Sequence, residues 1–147
     1  MKLMIAAIAG ALVSSAGSVQ AQSYRNVAAN NVEVFFVQDP IVERREVLAY
    51  VNVLEVREPG EVAYLTRSVR VDCLGNEFAL SRQAAYSENG TVLQRADDET
   101  DMVFAPPNSP MGKVIGFACW QETPEGSTLY QNLTDAVAAG RRVLAAH

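Results

Sequence analysis

Residues 61–73, EVAYLTRSVRVDC, place Ala63, Leu65, Val69, Val71 and Cys73 on one side of an extended chain. Thr66, Ser68, Arg70 and Asp72 fall on the other. A period of two over this length commits the segment to a β-strand with one face turned inward. LGNE (74–77) is a turn, after which Phe78, Leu80, Ala84 and Tyr86 continue an inward face on the returning strand. SENG closes that strand, and TVLQ reads as a short further one.

Upstream, a polar lead-in (Ser23 to Asn31) precedes VEVFFV, whose β-branched and aromatic residues favour a strand. QDPIVERRE follows as a turn with solvated arginines. VLAYVNVLEV (Val47 to Val56) is apolar at almost every position, as expected of a central strand covered on both faces. REPGE then turns the chain. Consecutive strand–turn units with short connections predict an antiparallel meander of about four to six strands.

Beyond residue 94 the texture changes. RADDETDMVFAPPNSP is acidic and then Pro-rich, as a loop is. Ser109 with Pro110 next is a helix start, and Met111, Val114, Ile115 and Ala118 form an apolar stripe at helical spacing, although Gly112 and Gly116 weaken it. After the polar QETPEGS, the stretch LTDAVAAGRRVLAAH offers Thr134 as a cap, Asp135 in the first turn and Arg141 and Arg142 near the end. That order suits the dipole of a terminal amphipathic helix. The expected class is α+β: an antiparallel sheet covered by a short helix and a C-terminal helix.

MKLMIAAIAGALVSSAGSVQAQ carries Lys2, an uncharged apolar stretch and small residues at Val19 and Ala21. This is the pattern of a bacterial secretory leader, residues 1–21, cleaved after Ala21. Glycines and serines break the stretch, which disfavours a membrane anchor. The expected mature chain, 22–147, is one domain, its last part (about 121–147) a helical extension. Losing Lys2 takes the formal charge from −5 to −6. An acidic chain without a basic block is a poor partner for nucleic acid or an anionic membrane surface. No later stretch is long enough to span a bilayer, and the expected location is the periplasm or outside the cell.

Few groups could carry chemistry. The only histidine, His147, is the last residue, which argues against a Ser–His or Cys–His pair. Cys73 and Cys119 are too few soft ligands for structural zinc and lack the CxxC redox spacing. Asp97, Glu99 and Asp101 lack the glycine and later glutamate of a calcium loop and read as a solvated acidic loop. Asn89-Gly-Thr and Asn132-Leu-Thr match a glycosylation pattern, but turn chemistry and a helix cap explain them in a bacterial chain. No metal, cofactor or catalytic set is expected. If Cys73 sits opposite Phe78, then Arg67 and Arg82 become diagonal neighbours on one half-buried face. Such a pair needs an anion. An internal carboxylate from the Asp97–Asp101 loop would serve, and so would a small anionic or peptide-carboxylate ligand. Leu48, Tyr50, Leu54 and Val56, if no helix covers them, would form an apolar patch suited to a homodimer or a protein ligand.

Three segments, VFFVQDPIVERREVLAYVNVLEV, RSVRVDCLGNEFALSRQAAYSENGTVL and APPNSPMGKVIGFAC, resemble the surface-adhesin protein E family of exported bacterial domains. The pattern covers residues 31 to 119. The resemblance implies an antiparallel sheet with helical cover, a Cys73–Cys119 disulfide and adhesion to host matrix proteins. An even cysteine count in an exported chain also makes a pair the default. The function expected is a non-enzymatic binding domain of the cell envelope, adhesin-like, with a protein or envelope component as partner. The alternative is a periplasmic inhibitor or anion-binding protein using Arg67 and Arg82.

Overall fold

Val51, Val53 and Leu54 sit mid-strand in the longest apolar run, and each is at most 1% exposed. They belong to β4 (Leu48–Arg57), the centre of the sheet. The computed structural model describes residues 22–147, so the proposed leader, 1–21, lies outside the described residues. Within them, nine strands form one sheet in the order β7-β6-β5-β4-β2-β1-β9, with β3 beside the start of β4 and β8 beside the start of β6. Every pairing is antiparallel. The other strands are β1 (Ser23–Ala29), β2 (Glu33–Asp39), β3 (Glu43–Arg45), β5 (Tyr64–Asp72), β6 (Glu77–Tyr86), β7 (Val92–Ala96), β8 (Val103–Phe104) and β9 (Leu129–Tyr130).

The α+β class and the antiparallel sheet agree with the sequence, but the strand count exceeds four to six. The polar lead-in is β1. A bulge between Asn26 and Ala28 breaks the alternation that would have marked it. ERR, expected as a solvated turn, is β3, and Arg44 donates through Nη2 to the Cys119 carbonyl. β8 and β9 are two residues each and exist only through pairing with β6 and β1.

Two helices cover opposite faces. α1 (Pro110–Trp120) starts as its sequence predicts, with Ser109 Oγ accepting from the Gly112 N–H at 3.0 Å and proline in the first turn. Gly112 is required: a Cβ there would lie 2.0 Å from the Pro106 carbonyl oxygen. The apolar stripe of α1 packs Val114, Ile115 and Ala118 on Val37, Ala49, Val51, Val53, Val69 and Val71. The Cys73–Cys119 disulfide fixes the end of α1 to the end of β5.

α2 (Leu133–Ala145) is capped by Asn132, whose Oδ1 accepts from the Asp135 N–H at 2.8 Å, two residues before the expected Thr134. It sets Ala136, Ala139 and Leu144 on Val34, Phe36, Leu54 and Val56. Gly140 lets it approach, since a Cβ there would lie 2.8 Å from Val56 Cβ. β4 is thus covered on both faces, but by different helices along different parts of its length.

Candidate functional site

Residues paired across strands share a face, so the register decides which side chains can act together. Within β5 and β6 it runs Val71↔Phe78 and Val69↔Leu80, then slips at a bulge that leaves Ser81 unpaired and continues Ser68↔Arg82 and Arg67↔Gln83. The slip turns the second half of β6 over. Phe78 and Leu80 face α1, whereas Arg82, Ala84 and Tyr86 face the side of α2. The expected continuous inward face of β6 is therefore two half-faces.

Arg67 and Arg82 both border the same hollow of about 290 Å³, but their side chains do not converge on it. They lie on opposite faces of the sheet, because one extra residue in β6 shifts the pairing by one position. Arg67 satisfies its charge internally, with Nη2 2.9 Å from Glu55 Oε2. Glu55 also accepts at Oε1 from Arg57 Nε, 2.7 Å away. The internal carboxylate comes from the last part of β4, not from the Asp97–Asp101 loop. That loop instead gives Glu99 to Arg70.

Arg82 stands on a different surface. α2 packs mainly on β1, β2, β4 and β9 and meets β5 and β6 at Tyr64 and Tyr86, so beyond those tyrosines the α2 side of β5, β6 and β7 and of the first half of β4 is open. Its floor is polar. Gln38 Oε1 accepts from Asn52 Nδ2 at 2.8 Å, and Asn52 Oδ1 accepts from Ser68 Oγ at 3.0 Å. Thr66, Arg82 and Arg95 continue this floor towards β7, with Asp97 at its border. Two adjoining hollows of about 290 and 470 Å³ share Asn52, Ser68, Arg82 and Asp97. Among the described residues, neither Arg82 nor Arg95 has a carboxylate within 4.0 Å, and both are exposed.

Aromatic side chains mark the seam where α2 ends and the open floor begins. Tyr64 and Tyr86 stack with centroids 4.8 Å apart, and Tyr24 borders the floor beside Tyr86. Burial raises the Tyr24 phenol above its ordinary pKa, with Tyr64 and Tyr86 adding to the shift. Burial and then Tyr86 raise Tyr64 in the same direction. These phenols stay neutral at physiological pH and offer hydrogen bonds without charge.

The remaining candidates fall into place around this face. Cys73 and Cys119 form the disulfide, at 2.05 Å. Asn89 Oδ1 accepts from the Thr91 N–H at 3.1 Å in the β6–β7 turn, which is turn chemistry. Leu54 and Val56 lie under α2 and Leu48 and Tyr50 are half-buried, so the condition for an apolar patch, the lack of a covering helix, is not met. Among the described residues, no group of three or more His, Cys, Asp or Glu side chains is arranged to hold a metal ion. Nor is any helix among them long and apolar enough to cross a membrane.

Arg95 carries no mark in the sequence, because TVLQRA is too short to show an alternating pattern. Pairing Ala84↔Arg95 puts it on the same face as Arg82. The fold and the site together define an α+β domain with one disulfide and an open, polar, arginine-bearing sheet face. No family model, no curated protein and no solved structure matches the chain.

Proposed function

We propose that this chain is a non-enzymatic binding domain of the bacterial cell envelope, acting in the periplasm or outside the cell. Its partner is an acidic protein segment or envelope component that meets the open face of β4–β7. One observation carries this reading: Arg82 and Arg95 project from that face with no carboxylate partner among the described residues. Unpaired guanidiniums beside a floor of amides and hydroxyls favour a ligand that brings carboxylates or phosphates.

The disulfide is compatible with an oxidising, extracytoplasmic compartment, where such bonds persist. The leader-like sequence of residues 1–21 points the same way. The adhesin-like reading adds a host matrix protein as one such partner and rests on the sequence resemblance alone. The anion-binding alternative keeps Arg82 but replaces Arg67 with Arg95, because the register separates the original pair.

The test compares the protein with its Arg82→Glu/Arg95→Glu variant in cross-linking to an envelope preparation, with cross-linked positions read by mass spectrometry. The expected result is a salt-sensitive partner, cross-linked through β4–β7 and lost in the variant. An identical set of partners captured by the variant would remove this reading.

A further inference from the structure

We infer that a pocket on the opposite face, between the start of α1 and the sheet, is a second binding site that takes the carboxy-terminal residue of a peptide ending in an apolar side chain. Arg67 borders both this pocket and the Arg82/Arg95 hollow, but Arg57, Phe104 and Met111 belong to this pocket alone, and the site does not depend on the function proposed for the other face.

The floor is charged and deeply set. Glu55 is 1% exposed and faces two guanidiniums, from Arg57 and Arg67. At the floor one carboxylate serves two guanidiniums, and Glu33 at the rim brings the lining to two carboxylates against two cations. Arg57 uses only Nε on Glu55, and its side chain is 39% exposed, so its outer N–H groups stay available. Arg67 Nε is buried and has no hydrogen-bond acceptor among the described residues. The Arg67–Glu55 contact is close but off the hydrogen-bond direction, which leaves Glu55 Oε2 without a directed donor. Buried polar groups call for a partner, which water or a ligand in this pocket can supply.

α1 opens at the same place, with Ser109, Pro110 and Met111 lining the pocket. Its first turn holds no acidic side chain, so the positive end of its dipole is not neutralised within the helix and favours an anion here. Glu33 stands at the rim, opposite Arg57 in register. That carboxylate repels a multiply charged anion, and a single carboxylate is the anion that fits.

The walls are apolar. Phe35, Phe78, Phe104 and Met111 surround the charged floor, and Phe104 is 60% exposed. The pocket holds about 280 Å³. At ~30 Å³ per water that is room for roughly nine waters, enough for one terminal residue and short for a long acyl chain. An arginine-bound carboxylate beside a small aromatic pocket is the chemistry by which a peptide end is captured.

The test titrates the disulfide-bonded protein with acetyl-Gly-Ser-Gly-Phe as the free acid, the same peptide amidated at its carboxy terminus, and decanoate. Binding is read by calorimetry and by amide chemical shifts. The free acid is expected to bind and to shift residues at the start of α1, with the amide about tenfold weaker or more. Arg57→Gln should weaken the acid by a similar factor and Phe104→Ser should weaken both peptides. Arg82→Glu/Arg95→Glu should change neither, so failure of this site and failure of the open face are read separately. Equal binding of acid and amide, or no binding at millimolar concentration, would overturn the inference. Tighter binding of decanoate than of the peptide would overturn the assignment to a peptide end. The acid–amide comparison uses the unmodified protein, so it stands even where a variant fails to fold.

Discussion

α1 and α2 each cover one face of the same sheet, but they hold it by different means. α1 is bound covalently through Cys119 and buries seven residues along eleven. α2 rests on a smaller apolar stripe, an approach allowed by Gly140, and an ion pair from Arg141 to Glu88. The α1 face is largely covered, with a charged-floor pocket at the start of the helix and a second hollow beside Phe117 near its end. The α2 face is closed at one end and open and polar over the rest. One sheet thus carries a stapled face that maintains the fold and a looser face free to meet a partner.

The largest effect should come from cutting the staple. Replacing Cys119 by alanine removes a cross-link spanning 46 residues. On the chain-entropy model this costs about 4 kcal/mol, with smaller losses common in practice. Denaturant midpoints of the oxidised protein and the variant measure it. Hydrogen exchange should show α1 loosening while α2 keeps its protection. Equal loosening of both helices would erase the contrast between the faces.

Next is Glu55→Gln. Removing the shared carboxylate leaves two guanidiniums on the α1 face without a counter-charge. A fully buried pair broken this way costs about 3–5 kcal/mol, and the partial exposure of both arginines lowers the expectation to about 2 kcal/mol. A neutral or stabilising result would show that the triad contributes nothing to the fold. Gly140→Val probes the other face. Its side chain would meet Val56, and such overpacking costs about 1–3 kcal/mol. Here α2 should lose exchange protection and α1 should keep it.

A smaller effect follows from the tyrosines at the seam. Tyr24 and Tyr64 have pKa values raised above 10.0 by burial. Unfolded tyrosines therefore release their protons first as pH rises, and the folded state binds more protons than the unfolded one. The stability these groups contribute is complete below pH 10 and is lost as pH climbs through the raised folded values. Tyr24→Phe should flatten that alkaline decline. The smallest effect on stability belongs to Arg82→Glu/Arg95→Glu, expected within about 0.5 kcal/mol because both residues are exposed and have no ion pair among the described residues.

Much of this architecture was legible in the sequence where the signal was periodic. The alternation of residues 61–73 located β5, Ser109-Pro110 located the start of α1, and the order of Asp135 and Arg142 fitted α2. What escaped was set by tertiary pairing. β8 and β9 are too short to carry a pattern, and β1 is interrupted by its bulge. The bulge at Ser81 had the largest consequence, because it moved Arg82 to the opposite face from Arg67. Phe78-Ala-Leu-Ser-Arg reads equally well with or without an extra residue, so only the observed register separates the two arginines. Glu55 was hidden within an apolar run, where its strand neighbours on both sides are valine and leucine.

The open face of β4–β7 is where a partner is proposed to bind. The most direct measurement is an amide chemical-shift map of the disulfide-bonded protein, recorded with and without the partner identified by cross-linking. The predicted result is a continuous set of shifts over Asn52, Thr66, Ser68, Arg82, Ala84 and Arg95, with α1 unaffected. Shifts confined to α1 and the far side of the sheet, with Arg82 and Arg95 silent, would contradict it.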